Sequence, residues 1–286
     1  MTTPAIWRGE ISDEGLATLW FDTPGRSVNL IDSTALAALD RQLSWVEGEP
    51  GLKALVIRSA KASGFALGFA PTEILGASPE QLEAIAWRGQ EVFDRLATLA
   101  IPTVAILHGV CQGAGLDLAL ACKRRVGLAS SEPLRLAASE VLLGIISPWG
   151  MIERMPMIIN PADTLGMLVT GRSIGFLMAK SMGLVDRLAS DENVDDPEED
   201  VLAPPPVVLS PSTEEWETAW NHAQAGVEES PGEHYEAQLQ ILSVMAILAA
   251  HGCAAGREAA TAAFIKLVER EDTRLALEAA ALRDER

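Results

Sequence analysis

The chain has 286 residues and a mass of 30.5 kDa, and it is 48% hydrophobic and 22% charged. This composition is typical of a folded protein with a sizeable core, and it excludes disorder as the dominant state. Forty acidic and 22 basic residues give a formal net charge of −18. Because nonspecific nucleic-acid binding needs a basic field, we expect no nucleic-acid partner.

Membrane insertion, secretion and a disulfide framework are also not expected. No stretch approaches the roughly 18 consecutive apolar residues of a membrane span, and the amino end lacks the basic and apolar regions of a signal peptide. The three cysteines are Cys111, Cys122 and Cys253. Their number cannot give a fully paired framework, and their spacing suits neither zinc nor a redox CxxC motif. We therefore expect a cytoplasmic protein with reduced thiols and no metal.

The first part of the chain reads as strands that alternate with helices. Residues 16–22 and 53–59 have the apolar pattern of strands. Between them a helix is predicted after a cap at Asp32 or Ser33, since apolar residues recur there at helical spacing: Leu36, Leu39, Leu43 and Val46.

The alternation continues beyond this helix. A capping box with proline at the first helical position, Ser78-Pro79-Glu80-Gln81, opens a helix that should run to about Leu99. Residues 102–110 read as a buried strand, 116–125 as a helix, and the segment RVGLA that follows as a further strand. This order indicates an α/β core.

Asn160-Pro161 opens one more short helix, and 182–188 resembles a turn into a last strand.

The composition changes after about residue 190. The segment DENVDDPEED carries seven acidic residues in ten and precedes a proline-rich stretch, so 189–211 cannot build a core. From the capping signal Ser212-Thr213-Glu214-Glu215 onwards the chain reads as helical. We assign 1–190 to the core, 191–212 to an acidic, proline-rich linker and 213–286 to a helical region.

Two glycine-containing loops are the first candidates for a site. In GVCQGAGLDLALAC a strand runs into Gly109, Gly113 and Gly115 and then into a helix, whose first N–H groups can hold an oxyanion or a phosphate. The loop SAKASGFALGF contributes Gly64 and Gly68, and it would face the same region if strands 53–59 and 102–108 are neighbours. Two loops that offer one N–H each can stabilise a thioester or ester oxygen as negative charge develops on it. A packing turn and an ordinary flexible loop are the alternatives.

Two acidic side chains are the second candidates. Asp117 lies one turn into the helix after the glycines, and Glu140 lies in a mainly apolar segment. A buried carboxylate there would suit general acid–base chemistry, although a solvated carboxylate is the default for each. Scattered basic residues could meet phosphates or simply be solvated: Arg26, Arg58, Lys61 and Lys266. His108 and Cys111 are interpreted as packed core residues.

Four segments in order resemble the crotonase superfamily, also called the enoyl-CoA hydratase/isomerase family. SAKASGFALGF and HGVCQGAGLDLALAC are similar to its two oxyanion loops. SEVLLGIISPWGMIERMP resembles its glutamate-containing stretch, and TGRSIGFLMAKSMGLVDRL resembles its Gly-Leu-Val-Asp segment. The resemblance covers about 1–190. Together with the tail REAATAAFIKLVEREDTR, it is nearest to the hydratase half of the multifunctional fatty-acid oxidation enzyme.

The resemblance implies a fold and a chemistry. The fold is an α/β, crotonase-like spiral of repeated ββα units with a helical carboxy-terminal region. The family binds acyl-CoA thioesters without a metal or prosthetic group, so that coenzyme A enters only as part of the substrate. By position, Leu67 and Ala114 would supply the oxyanion amides, and Glu140 and Asp117 would be the catalytic carboxylates. The neighbouring substrate-binding positions would be Gly68, Gly113 and Pro148.

This chain departs from the family pattern near those positions. Asp117 stands where hydratases have glutamate, and this retracts the carboxylate by about 1 Å. Pro148 replaces a glycine whose N–H helps to hold the water used in hydration, and proline has no N–H. Further replacements are Ala114 for a glycine, Ala70 for an aspartate and Met151 for a glycine. We therefore expect isomerisation of a double bond to survive better than hydration.

The working hypothesis is an acyl-CoA hydratase/isomerase, and two alternatives stay open. One is a non-catalytic acyl-CoA binder or assembly subunit with a decayed site, and the other is a different crotonase reaction such as thioester hydrolysis. Arg26 and Lys61 are the candidates for the CoA phosphates, with Lys266 as a third. A homo-oligomer, trimer or hexamer, is expected. The apolar face at 241–252 must be buried against the protein's own core or against a neighbouring copy, and the resemblance favours the neighbouring copy.

Overall fold

The computed structural model describes residues 5–129, 133–190, 208–229 and 231–284. Its strands are β1 Trp7–Ile11, β2 Leu16–Phe21, β3 Leu30–Ile31, β4 Ala54–Ser59, β5 Gly64–Ala66, β6 Gly68–Phe69, β7 Thr103–Leu107, β8 Val110–Gln112, β9 Arg124–Ala129, β10 Arg135–Ala137, β11 Ile174–Gly175 and β12 Arg187–Ser190. Its α-helices are α1 Ser33–Gly48, α2 Pro79–Ala97, α3 Ala114–Ala121, α4 Met151–Arg154, α5 Pro161–Thr170, α6 Phe176–Met182, α7 Thr213–Glu229, α8 Tyr235–His251, α9 Cys253–Val268 and α10 Glu271–Asp284.

The main sheet has the strand order β1-β2-β4-β7-β9-β12. The β1–β2 pair is antiparallel, and the remaining pairs are parallel. Strands β4 and β7 are almost entirely buried, which explains their near-continuous apolar sequences. Two smaller sheets, β11-β10-β8-β5 and β3-β6, are built from short strands. The mixed α/β class predicted from the sequence is therefore confirmed.

Local capping sets the starts of several helices. Helix α1 begins after Asp32, whose side chain accepts the N–H of Ala35 at 2.7 Å. The predicted capping box before α2 is present, because the Ser78 N–H donates to Gln81 Oε1 and the Gln81 N–H donates to Ser78 Oγ. The predicted caps at Asn160 and Ser212 likewise precede α5 and α7. These starts were readable because each needs only residues that are near in sequence.

Contacts divide the chain into two units. Among the described residues, the first unit lies within 1–69, 91–136 and 174–207, and the second within 70–90, 137–173 and 208–286. In the first unit the side chains of one cluster pack across the main sheet: Val56, Val104, Ile106, Val126 and Ala189. The linker predicted at 191–212 lies mostly outside the described residues, and Ala189 and Ser190, which the proline-rich excursion was expected to include, belong to β12.

The helix predicted at 116–125 is shorter than expected. Helix α3 ends at Ala121, Cys122 is extended, and Arg125 lies in β9. Arg125 is only 1% exposed, and its Nε and Nη1 donate to the carbonyl oxygens of Leu184 and Cys122 at 2.8 and 2.9 Å. Burial lowers the pKa of Arg125, and the nearby Asp186 carboxylate opposes this effect. A buried arginine paired within a strand cannot be anticipated from helical periodicity.

The carboxy-terminal helices belong to the second unit. Helix α8 packs against α5, α7 and α9, and Ile241, Leu242, Val244 and Met245 are buried there. The apolar face at 241–252 is thus covered largely within its own chain, and the expectation that a neighbouring copy covers it is wrong for these residues. Across the part of the chain that the structure describes, no helix combines the length and apolarity that a membrane span requires.

Candidate active site

The two glycine loops meet in the first unit. Strands β4 and β7 are parallel neighbours, so the loops that follow them leave the same edge of the sheet. Strand β5 then pairs with β8, with Gly64 opposite Val110. A Cβ on Gly64 would lie 2.2 Å from the backbone nitrogen of Val110, so this approach requires glycine. The prediction that both loops face one region is confirmed as geometry.

The family resemblance implies two oxyanion amides, those of Ala114 and Leu67, and their N–H groups differ in their hydrogen-bond partners. Ala114 is the first residue of α3 and follows Gly113, which has a φ of +51°. As a first-turn N–H, the Ala114 amide has no acceptor within its own helix. The Leu67 N–H, in contrast, donates to the carbonyl oxygen of Asn29 at 2.9 Å. A Cβ on Gly68 would lie 3.9 Å from the Ala114 nitrogen, so the two loops lie side by side at this point.

Asp117 is fully buried in the first unit. It lies one turn into α3, and its N–H donates to the Gly113 carbonyl oxygen at 3.0 Å. Every residue of α3 is buried, so the helix that carries this carboxylate is enclosed on all sides. The solvated carboxylate that is the default expectation for Asp117 is therefore wrong.

Glu140 is also buried, at 4% exposure, in a 3₁₀ turn at Ser139–Leu143 of the second unit. Gly144 ends the turn with a φ of +75°, and its N–H donates to the Val141 carbonyl oxygen at 3.1 Å. Thr273 from α10 donates through Oγ1 to the Gly144 carbonyl oxygen at 3.1 Å. The carboxy-terminal helix thus anchors the turn that carries Glu140, and a solvated glutamate is excluded here as well.

Pro148 lies in a buried segment of the second unit. Its carbonyl oxygen accepts a hydrogen bond from Gln90 Nε2 at 2.7 Å, and the same Nε2 lies 3.0 Å from Thr261 Oγ1 of α9. The next residue, Trp149, donates from its indole N–H to the Ile85 carbonyl oxygen at 3.1 Å. Gln90 is not among the residues predicted from the sequence, where its only signal is a polar residue on the buried side of α2.

The basic candidates already have partners in this structure. Lys61 Nζ lies 2.5 Å from Asp22 Oδ1 and 2.8 Å from the Thr23 carbonyl oxygen. Arg26 is half-buried in the adjoining loop. Lys266 belongs to the second unit, where it pairs with Glu236 at 3.1 Å and lowers the pKa of that carboxyl group. Binding of CoA phosphates by Lys61 or Lys266 would have to compete with these carboxylates.

Of the two residues interpreted as core packing, Cys111 is buried, whereas His108 is only half-buried. His108 Nε2 lies 2.7 Å from the Lys61 carbonyl oxygen, and burial raises the pKa of the Cys111 thiol. Within the described ranges no three His, Cys, Asp or Glu side chains cluster in a way that could hold a metal ion.

One buried polar residue next to the glycine loop at 59–69 was not predicted from the sequence. Asn29 precedes β3 and is 1% exposed, and its side chain and backbone bind five groups in the first unit. The signal available in the sequence was an asparagine within the apolar segment VNLI, because a buried amide needs partners.

Known proteins share this architecture over nearly the whole chain. The human mitochondrial Δ3-Δ2-enoyl-CoA isomerase aligns with a TM-score of 0.70 at 21% identity, over 97% of both chains. An enoyl-CoA hydratase/isomerase from Mycobacterium paratuberculosis aligns with a TM-score of 0.68 at 21% identity, over 98% of this chain and all of the other. Likeness at this level of identity establishes the fold, which is the crotonase fold.

Sequence comparison identifies the family. A family model described as "Enoyl-CoA hydratase/isomerase" matches residues 12–251. The fatty acid oxidation complex subunit alpha of Shewanella amazonensis is 36% identical over 176 residues, which is 61% of this chain. That stretch covers 25% of the relative, so this chain spans about a quarter of the length of the curated relatives it matches. The protein belongs to the enoyl-CoA hydratase/isomerase family.

Proposed function

We propose that the protein acts on acyl-CoA thioesters and stabilises a thioester enolate, with double-bond isomerisation favoured over hydration. The observation that carries the proposal is the meeting of the two glycine loops at the start of α3, with the buried Asp117 one turn further on. Amides at the start of a helix favour an oxygen on which negative charge develops. A buried carboxylate beside them suits proton movement at the adjacent carbon.

The roles follow the family resemblance. The backbone amides of Ala114 and Leu67 are proposed to hold the thioester oxygen, and Glu140 is proposed as the principal acid and base, with Asp117 assisting. Because the Leu67 N–H donates to the Asn29 carbonyl oxygen, it must exchange or share that bond when the thioester oxygen binds. Arg26 and Lys61 stay the candidates for the CoA phosphates.

The preference for isomerisation has a physical basis in two residues. Hydration needs an ordered water held by two carboxylates and a backbone donor, whereas isomerisation needs one base to move a proton between carbons. Pro148 has no N–H to offer, and its carbonyl oxygen is taken by Gln90. Asp117 also has a shorter side chain than the glutamate of hydratases. A single base, which we propose to be Glu140, would still suffice for isomerisation.

The first prediction tests this preference directly. With wild-type protein we expect measurable turnover of 3-enoyl-CoA to 2-enoyl-CoA, and hydration of 2-enoyl-CoA at least about 10²-fold slower, since a missing donor and a displaced carboxylate each cost about that much. Absorbance of the conjugated thioester follows both reactions. Hydration as fast as isomerisation would contradict the preference.

A catalytically decayed acyl-CoA binder is the second candidate, and one observation favours it. The Leu67 amide is engaged by Asn29, so a single helix amide would then face the ligand. Absence of turnover with either substrate, together with binding of acyl-CoA by calorimetry, would support this candidate. Absence of both turnover and binding at millimolar ligand would contradict the two proposals together.

The proposal includes a homo-oligomer, a trimer or a hexamer, in the cytoplasm. Large exposed apolar side chains on α6, Leu177 and Met178, support a contact with another copy. None of the described residues forms a disulfide, which is compatible with a reducing compartment. We expect light scattering at micromolar concentration to give a mass of three or six chains, and a mass near 30 kDa would contradict the oligomer.

The names of the relatives suggest fatty acid oxidation as the pathway.

A further inference from the structure

Asn29 lies at the centre of a buried hydrogen-bond network in the first unit. Its Oδ1 accepts the Thr23 N–H at 2.8 Å. Its Nδ2 lies within hydrogen-bond distance of the carbonyl oxygens of Phe21 and Phe65, at 3.1 and 3.0 Å, and of Ser59 Oγ at 2.9 Å. The side chain therefore connects the end of β2, the end of β4 and the glycine loop at 59–69.

The same residue also holds the loop through its backbone. The Asn29 carbonyl oxygen accepts the Leu67 N–H, so Phe65 and Leu67, two residues apart in the loop, are both bound to Asn29. Ser59 extends the network, because its Oγ donates to the Gly64 carbonyl oxygen at 2.7 Å. Three backbone groups of the segment 64–67 are thus fixed by Asn29 and by the side chain it binds.

We propose that Asn29 is a positioning residue that sets the direction and the availability of the Leu67 amide for oxyanion stabilisation. This inference rests on the proposed function, since it assigns Asn29 a part in the same site. Because Asn29 is 1% exposed and its side chain binds only protein groups, it would act on the reaction only through the loop.

Two oxygen acceptors compete for the Leu67 N–H. In the free protein the acceptor for the Leu67 amide is a neutral carbonyl oxygen. A neutral thioester oxygen is a comparable acceptor and gains little by displacing it, whereas an enolate oxygen is charged and accepts a much stronger hydrogen bond. The Leu67 amide then binds the enolate better than the ground state, and such a difference raises kcat rather than lowering KM.

This arrangement works only while the loop is held in place. Without the Asn29 side chain, the Phe65 carbonyl oxygen loses its donor, and the 65–67 peptides can turn away from the Ala114 amide. A displacement of about 1 Å at a catalytic group can cost on the order of 10² in rate. We therefore expect kcat to respond much more strongly than KM.

The decisive variant is Asn29→Ala, measured with 3-enoyl-CoA. Its kcat should fall by about 10²-fold while KM stays within about threefold of wild type. Hydrogen exchange of the 64–68 amides should accelerate at least about tenfold. Asn160→Ala is the matched control. It also removes a side-chain acceptor of a backbone N–H, namely the cap of α5 that accepts the Asp163 N–H, but it lies outside the loop at 59–69 and in the second unit. It should lower the melting temperature and leave kcat and the 64–68 exchange unchanged.

Ser59→Ala covers the case in which Asn29→Ala does not fold. It removes one acceptor of Asn29 and the donor to Gly64 but keeps the Phe65 and Leu67 bonds, so kcat should fall by about tenfold with KM unchanged. The inference is overturned if Asn29→Ala, or Ser59→Ala in its place, lowers the melting temperature but keeps the wild-type kcat. Inactivity of the wild type itself would instead contradict the proposed function, and the inference with it.

Discussion

Glu140→Gln is expected to lower kcat by about 10²- to 10⁴-fold and to leave the dissociation constant for acyl-CoA within about threefold of wild type. Removal of a general acid or base has an effect of this size. The amide has nearly the shape of the carboxyl group, and Gly144 and Thr273 hold the turn from outside. The variant should therefore keep its structure. Steady-state kinetics with 3-enoyl-CoA and calorimetry with acyl-CoA measure the two quantities.

Two comparison variants sharpen this experiment. Asp117→Asn should lower kcat less than Glu140→Gln, because Asp117 is proposed only to assist. Glu153→Gln is the matched control, since Glu153 is another buried glutamate of the second unit and is bound by Arg257 at 2.6 Å. It should lower the free energy of unfolding while kcat is retained. A Glu140→Gln enzyme with wild-type kcat would remove Glu140 from the mechanism.

The elements that the sequence predicted well are those that depend on nearby residues. Asp32, Ser78, Asn160 and Ser212 each cap a helix through a partner about three residues away, and a capping pattern is visible in any such window. The buried strands β4 and β7 were equally clear, because both of their faces are covered and their apolar runs are continuous.

The elements that were missed depend on distant partners. Strand β1 is an edge strand with one buried residue, Trp7, and mostly partly or fully exposed side chains, so its sequence lacks an apolar pattern. Strands β5 and β8 are each three residues long and exist because they pair with one another. No local pattern specifies such strands, since their hydrogen bonds come from across the fold.

The candidate site shows the same division. The convergence of the two glycine loops could be predicted, because parallel neighbouring strands deliver their loops to one edge of the sheet. The partner of the Leu67 amide could not be predicted. It is the carbonyl oxygen of Asn29, 38 positions earlier in the sequence, and a backbone oxygen leaves no trace in residue types. The burial of Asp117 and Glu140 was also decided by packing and not by their neighbours in sequence.

The contact between the glycine loops leads to the last prediction, that Gly64→Ala destabilises the fold and impairs the site together. Gly64 has a φ of +153°, and a Cβ there would lie 2.2 Å from the Val110 nitrogen and 2.7 Å from its carbonyl oxygen. Since both obstacles are backbone atoms, the loops must separate. We expect the free energy of unfolding to fall by at least about 2 kcal/mol. We also expect kcat to fall by about 10²-fold, because the Leu67 and Ala114 amides move apart.

Substitutions at two other glycines serve as controls. They separate the effect of backbone strain at Gly64 from the effect of its close contact with Val110. Gly48 is the last residue of α1 and has nothing within 4 Å of an added Cβ, so Gly48→Ala should change the free energy of unfolding by no more than about 0.5 kcal/mol. Gly25 has a φ of +73° and equally open surroundings, so Gly25→Ala should cost about 1–2 kcal/mol from strain and leave kcat unchanged. Chemical denaturation and steady-state kinetics of the three variants give the comparison. If Gly64→Ala behaves like Gly25→Ala, strain accounts for the whole effect, and the two loops do not need their close contact for the site to function.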